Sequence, residues 1–230
     1  MQRKVLSVGA LATLLAGGGF AQDIAGDWRG TLKPGQAELR IALHIVKADG
    51  GMKATMDSLD QNAKGIQVSS ITLKGTDVEF TVDPVHGTYQ GKLSEDGSSI
   101  KGMWSQGQPF ELNFERGTFK IVEHKPGKPS DIDGAWGGTL DFGTQKLRIV
   151  FHIVNAEDGL TATADSPDQG AKGMPVSSVA RNGASLQMQL KSAGASFEGK
   201  ISADLASITG TFTQRDMGVP LVLTRVKDDK

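Results

Sequence analysis

An internal repeat limits the folds open to this chain more than any other feature of its sequence. When residues 24–75 are aligned with residues 132–183, at an offset of 108 positions, 28 of the 52 residue pairs are identical. The match then continues more weakly, takes one inserted residue, and pairs Arg116 with Arg225. We therefore expect two tandem copies of one module of roughly 100 residues, each large enough to form its own core.

Within each copy, hydrophobic residues recur at every second position, which is the period of a β-strand. One such row is Leu39, Ile41, Leu43 and Ile45, and its counterpart is Leu147, Ile149, Phe151 and Ile153. Turn dipeptides such as Gly-Gly and Asp-Gly separate these segments at the spacing of an antiparallel meander. The pattern predicts eight short strands in copy one, mirrored in copy two: about 26–32, 38–47, 52–57, 67–74, 77–82, 87–93, 99–105 and 109–115.

These strands predict an all-β fold of two tandem antiparallel up-and-down β-barrels, with about eight strands each. Closure of the sheet removes the two exposed edges that an open meander would leave. A sandwich remains the alternative, because strand count alone does not separate the two. The predicted modules span 22–117 and 132–227, and the turn-rich, charged stretch 118–131 between them is interpreted as a linker.

The first residues have the features of a secretory signal peptide, predicted at 1–21. Arg3 and Lys4 precede an apolar run at 5–16 and a stretch of small residues at 17–21. The run is well short of the ~20 residues of a spanning helix, so cleavage and no membrane span are expected. Because the chain has no cysteine, a lipoprotein anchor is excluded, and a periplasmic or secreted location is predicted.

Charge argues against nucleic acid as a partner. Without residues 1–21, the chain has 23 Lys and Arg against 26 Asp and Glu, a formal net charge of −3. Charges of both signs are interspersed along the whole sequence, whereas a nucleic-acid surface needs a clustered basic patch.

Each copy opens with Gly-x-Trp and closes with Arg, a pattern that resembles the lipocalin or calycin superfamily, which includes avidin-like barrels. In that superfamily the Trp plugs one end of the barrel and the Arg packs across it. The resemblance implies that Trp28 with Arg116, and Trp136 with Arg225, close the two barrels. It also implies a small-molecule carrier. The modules are shorter than a typical lipocalin and show no second family motif.

A second resemblance rests on the Asp-Ser-Pro-Asp-Gln…Gly-x-Pro-Val stretch at 165–176. It is similar to accessory modules that precede the catalytic domain of some exported bacterial α/β-hydrolases and serine β-lactamase-like enzymes. Copy one departs from this pattern at Leu59 and Gln67, where copy two has proline. The resemblance implies a binding or presenting role.

No catalytic residue, metal ligand or cofactor is predicted. The Gly-x-Ser-x-Gly turn of a serine hydrolase is absent, and the nearest serines, Ser58 and Ser166, have no histidine beside them in sequence. The four histidines are scattered, and of these only His44 and His152 are equivalent. Both lie in mid-strand, where a hydrogen-bonded histidine on the face opposite the apolar row is the favoured interpretation over a ligand site.

The most repeated polar feature is the Asp-Ser-x-Asp-Gln-x-Ala-Lys-Gly loop. Its structural interpretation is a turn held by side-chain hydrogen bonds to the backbone. Its functional interpretation is a lid over a barrel mouth, whose polar groups orient a ligand in an apolar pocket. The candidate ligand-binding residues are Asp57, Asp60, Gln61, Lys64, Asp165, Asp168, Gln169 and Lys172.

Three functions follow, in order of preference. The first is a non-catalytic, exported binding protein for a small apolar molecule. The second is an interaction or accessory module with filled barrels, contacting an enzyme or the cell envelope as a protein partner. It draws on Val150 and Val154, which make the second strand of copy two apolar on both faces. The third, a hydrolase-type enzyme, has the least support in the sequence.

Overall fold

The structure is a computed structural model that describes residues 23–227, so the predicted signal peptide lies outside the described residues. Regular structure in this range is β-strand apart from four single 3-10 turns, which confirms the all-β prediction. The strands of module 1 are β1 Gly26–Leu32, β2 Leu39–Ala48, β3 Gly51–Ser58, β4 Ala63–Gln67, β5 Ser70–Lys74, β6 Asp77–Val82, β7 Gly87–Leu93, β8 Ser99–Gln106, β9 Gln108–Glu111 and β10 Phe114–Arg116. The strands of module 2 are β11 Gly134–Asp141, β12 Lys146–Ala156, β13 Gly159–Ser166, β14 Ala171–Pro175, β15 Ser178–Asn182, β16 Ser185–Leu190, β17 Ala195–Ile201, β18 Ser207–Gln214 and β19 Met217–Arg225.

Each module is a single curled antiparallel sheet that forms a half-barrel. The order in module 1 is β4-β3-β2-β1-β10-β8-β7-β6-β5, and in module 2 it is β14-β13-β12-β11-β19-β18-β17-β16-β15. The first strand of each module pairs with its last, as in an up-and-down barrel, and β9 pairs only with β8. The two strands in the middle of each module's sequence, β4 with β5 and β14 with β15, therefore form the edges.

The predicted strand 67–74 is wrong in one respect, because it divides into the end of β4 and the whole of β5. Val68 donates its N–H to the carbonyl of Ala54 on β3, at 3.1 Å, whereas Ser69 donates to Thr81 at the end of β6, at 2.7 Å. Consecutive residues thus bond to opposite sides of the half-barrel, and the chain crosses from one edge to the other. The equivalent residues of module 2 make the same switch.

The predicted strand 109–115 also divides, into β9 and β10, whereas its counterpart β19 is continuous. The Asn113 side chain explains the break, since its Oδ1 accepts the N–H of Gly102 at 3.0 Å in place of a backbone carbonyl. Module 2 has Val222 at the position of Asn113 and keeps a regular ladder there.

Side chains fill the interior of each half-barrel. The alternating row from Leu39 to Ile45 is buried, as is its counterpart apart from Leu147. In module 1 the rings of Phe80 and Tyr89 stack at 4.7 Å between centroids, and Phe114 meets Tyr89 edge-on at 5.4 Å. Full burial of such a side chain contributes about 1.5–3 kcal/mol to folding, so the cores are the main source of stability.

The predicted linker is partly docked onto module 2. Pro126 forms an isolated β-bridge with Ala156, and Gly127 donates its N–H to the carbonyl of Asn155 at 2.9 Å. The modules also touch directly, because the Glu38 N–H donates to the Lys191 carbonyl at 2.8 Å. The stretch interpreted as a linker therefore pairs with the end of β12 at this point.

Candidate functional site

The repeated polar loop follows β3 in module 1 and β13 in module 2, and much of its bonding is internal. Ser58 Oγ donates to Gln61 Oε1 at 2.7 Å, and the N–H of Gly65 donates to Asp57 Oδ1, also at 2.7 Å. Gly65 has a φ of +65°, which a glycine adopts without strain. In module 2, Asp165 and Gln169 make the same bonds at 2.7 and 2.8 Å.

Asp60 bonds back to the neighbouring strand β2. Its carboxylate accepts the backbone N–H of Arg40 at 2.7 Å and two guanidinium N–H groups, Nε at 2.9 Å and Nη2 at 2.5 Å. The hydrogen bonds that the Arg40 guanidinium donates to Asp60 raise the pKa of Arg40. In module 2, the Arg148 guanidinium holds the pKa of Asp168 below its usual range in the same way.

The remaining two candidates, Lys64 and Lys172, are exposed at the surface of the loop. The carbonyl of Lys172 accepts a hydrogen bond from the Asn62 side chain of module 1 at 3.3 Å. The structure thus brings the acidic and amide candidates together in a bonded turn, as the structural interpretation describes. It adds an ion pair to β2 that the repeat alone did not show.

The Trp and Arg residues implied by the lipocalin resemblance are in contact. The guanidinium carbon of Arg116 lies 4.3 Å from the ring centroid of Trp28, and that of Arg225 lies 4.4 Å from the ring of Trp136. Each Trp is fully buried, and each indole donates to the carbonyl four residues earlier. Arg116 also donates to three backbone carbonyls. This geometry ties the first and last strands of each module together but does not identify a family.

The equivalent histidines lie on the outer face, beside carboxylates. His44 Nδ1 is 2.7 Å from Asp27 Oδ1, and its Nε2 is 3.5 Å from Asp57 Oδ2. The hydrogen bond with Asp27, followed by the charge of Asp57, raises the pKa of His44. His152 Nε2 is 3.0 Å from Asp165 Oδ2. Within residues 23–227, no three His, Asp or Glu side chains are arranged to hold a metal ion.

Two concavities of similar size lie on the outside of the modules. One, of about 310 Å³, lies where Gln36 of module 1 meets Lys191 and Asp216 of module 2. The other, of about 320 Å³, lies over β1 and β10 of module 1. We call it the β1–β10 pocket, and it is lined by Arg29, Gly30, Thr31, Asn113, Glu115 and Phe119.

Sequence reasoning missed the β1–β10 pocket entirely. Its polar residues come from β1 and from the chain in and just before β10, which are far apart in sequence but pair in the sheet, with Arg29 opposite Glu115. A signal was available, because the module 2 counterparts of these two residues are Gly137 and Thr224. The two modules therefore differ in sequence at the surface positions that form this pocket in module 1.

Comparisons with known proteins provide no identity for the chain. No protein-family model matches it, and no curated protein matches it. Among solved structures, a protein of unknown function from the DUF3598 family of Nostoc punctiforme shares 12% identity at a TM-score of 0.26. The match covers 88% of this chain and 96% of that protein. So low a TM-score supports neither a shared fold nor a shared function.

In the part of the chain described by the structure, no helix is long and apolar enough to cross a bilayer.

Proposed function

We propose that this chain is an exported, non-catalytic interaction protein whose filled barrels present their outer surfaces to an enzyme or to the cell envelope. The observation that carries the proposal is the packing of the two interiors. In module 1, Phe80, Tyr89, Trp104 and Phe114 occupy the space in which a carrier barrel would hold its ligand. Small barrels of about eight strands have interiors that side chains alone can fill.

The outer face supports the same proposal. Val46 and Val154 occupy equivalent outward positions on β2 and β12, and they are 57% and 47% exposed. Because its sequence is apolar on both faces, β12 was predicted to be covered on both faces. In the structure, however, Val154 on its outer face is exposed to solvent. Val46 lies opposite Lys53 on β3, and Val154 lies opposite Thr161 on β13. An exposed apolar group beside a polar one suits a partner surface of mixed character.

An enzyme is less well supported by the titrating groups. The acidic groups with lowered pKa values are explained by neighbouring cations or by hydrogen bonds within their own turns, as with Asp168 beside Arg148. Burial in the aromatic core raises the pKa of Tyr89, whose hydroxyl lies inside module 1. At an active site, groups with strongly shifted pKa values typically line an open cleft. The acidic groups described above and Tyr89 do not line one.

The test is photo-cross-linking in the intact envelope of the producing cell. A photoreactive residue replaces Val46 or Val154 on the outer face, and matched controls carry it at Lys74 and Asn182 on the edge strands. We expect one discrete cross-linked species from the outer-face positions and a weaker yield from the controls. Equal yields at all four positions, or no cross-link from either valine, would contradict the proposal.

A further inference from the structure

The β1–β10 pocket has the construction of a binding site. Arg29 and Thr31 project outward from β1, and Asn113 and Glu115 project from or beside its neighbour β10. The pairing of β10 with β1 continues to Gly117, whose N–H donates to the carbonyl of Asp27 at 2.7 Å, and the chain beyond it returns to this face at Phe119. Phe119 therefore lies against the polar side chains and forms the aromatic wall of the pocket.

Each charged side chain at this pocket has a partner of opposite charge. Arg29 Nη2 lies 3.1 Å from Glu115 Oε2. Arg40, which stands with its guanidinium carbon 6.0 Å from the centroid of the Phe119 ring, is held by Asp60. A charged ligand would have to compete with these ion pairs. A neutral ligand would not, and the pairs still offer N–H donors and carboxylate acceptors at their margins.

The pocket combines a ring face with groups that donate and accept hydrogen bonds. A guanidinium donates, a carboxylate accepts, and the Thr31 hydroxyl and Asn113 amide do both. Sugar hydroxyls likewise donate and accept, and the C–H face of a sugar ring packs against an aromatic ring. A few convergent polar groups beside an apolar wall are typical of small-ligand sites. Resting on the proposed function, in which the outer surface is the working one, we propose that the β1–β10 pocket binds a neutral saccharide.

Module 2 provides an internal comparison, because the same surface lacks these groups. Gly137, Val222 and Thr224 stand where module 1 has Arg29, Asn113 and Glu115. Val226 lies over this surface, so close that a Cβ placed on Gly137 would be 2.8 Å from it. The saccharide site therefore belongs to module 1 alone.

The test is a nuclear magnetic resonance titration of the protein, labelled with ¹⁵N, with glucose, cellotriose and the trimer of N-acetylglucosamine. We expect amide shifts in β1, β10 and residues 117–119, without shifts in β11 or β19. Tighter binding of a trimer than of glucose identifies a polysaccharide segment as the source, and equal binding identifies a free sugar.

Two variants with a control decide the role of the pocket. Phe119→Ala, which changes a half-buried side chain outside the core, is expected to raise the Kd at least about tenfold, and Glu115→Gln is expected to raise it severalfold. Thr224→Ala at the equivalent place in module 2 should leave the Kd unchanged. The proposal is overturned by the absence of shifts with all three sugars, by shifts in module 2, or by an unchanged Kd in Phe119→Ala. If the cross-links at Val46 and Val154 persist while the titration is silent, the saccharide inference alone fails.

Discussion

Replacement of Asp60 by alanine should destabilise module 1 more than the matched replacement of Asp168 destabilises module 2. Asp60 is only 9% exposed, and its carboxylate is the acceptor of the Arg40 backbone N–H at 2.7 Å. Loss of the acceptor for a poorly solvated donor costs about 1–3 kcal/mol, so we expect a decrease of about 2 kcal/mol in the free energy of unfolding. The Arg40 guanidinium adds little to this figure, since 40% of its side chain is exposed and solvent screens the ion pair.

Asp168 is the matched control because it makes the same bonds in a more exposed setting. Its side chain is 30% exposed against 13% for Asp60, and that of Arg148 is 65% exposed. Water can therefore replace the carboxylate as acceptor in Asp168→Ala, and a smaller decrease in the free energy of unfolding is expected. Urea unfolding measures the total change, and hydrogen exchange of peptides from each module locates it. Equal losses in Asp60→Ala and Asp168→Ala, or a loss below about 0.5 kcal/mol in Asp60→Ala, would refute this reasoning.

Three further predictions test the cores, the strand closure and the histidine cluster. Phe80→Ala should lower the free energy of unfolding by about 3–5 kcal/mol in urea titrations, because the ring packs on three other aromatic rings, and a loss under ~1 kcal/mol would argue for a loosely filled interior. Arg116→Lys keeps the charge over Trp28 but cannot reproduce the three carbonyl contacts, so its melting temperature should fall between those of the native protein and Arg116→Ala, and a melting temperature equal to that of the native protein would contradict the role of these contacts. Since its neighbours raise the pKa of His44, its stabilising contribution is present at pH values below the ordinary histidine pKa of about 6.5 and is lost as the pH rises through the raised value. The melting temperature difference between the native protein and His44→Gln should therefore shrink from pH 5.5 to pH 8.5, and growth of the difference would show that the sign is wrong.

The features that repeat locally were predictable from the sequence. The alternation at Leu39 to Ile45 predicted a strand, which is β2, and the offset of 108 predicted two equivalent modules, whose sheets have the same strand order. The division of 67–74 could not be predicted, because it depends on which distant strand accepts each N–H, Ala54 on β3 for Val68 and Thr81 on β6 for Ser69. The accepting strand is set by how the half-barrel closes, and the local pattern of hydrophobic residues does not indicate it.

For the polar surface as well, contacts between residues close in sequence were predictable, whereas contacts between distant strands were not. The internal bonds of the loop, such as Ser58 to Gln61, span three residues and follow from turn chemistry. The ion pair of Asp60 with Arg40 spans 20 residues, and that of Arg29 with Glu115 spans 86. The β1–β10 pocket therefore appears only once the first and last strands of module 1 are placed side by side.

We propose that both barrels are filled, so that partners bind at the outer surface. The most direct test is native mass spectrometry of the protein purified from its own producing cells, followed by organic extraction and addition of a panel of lipophiles. We predict the mass of the polypeptide alone, nothing apolar in the extract, and no mass shift with any lipophile. A small apolar molecule released on denaturation, or one lipophile bound per module, would contradict this proposal. The protein would then be a carrier of small apolar molecules.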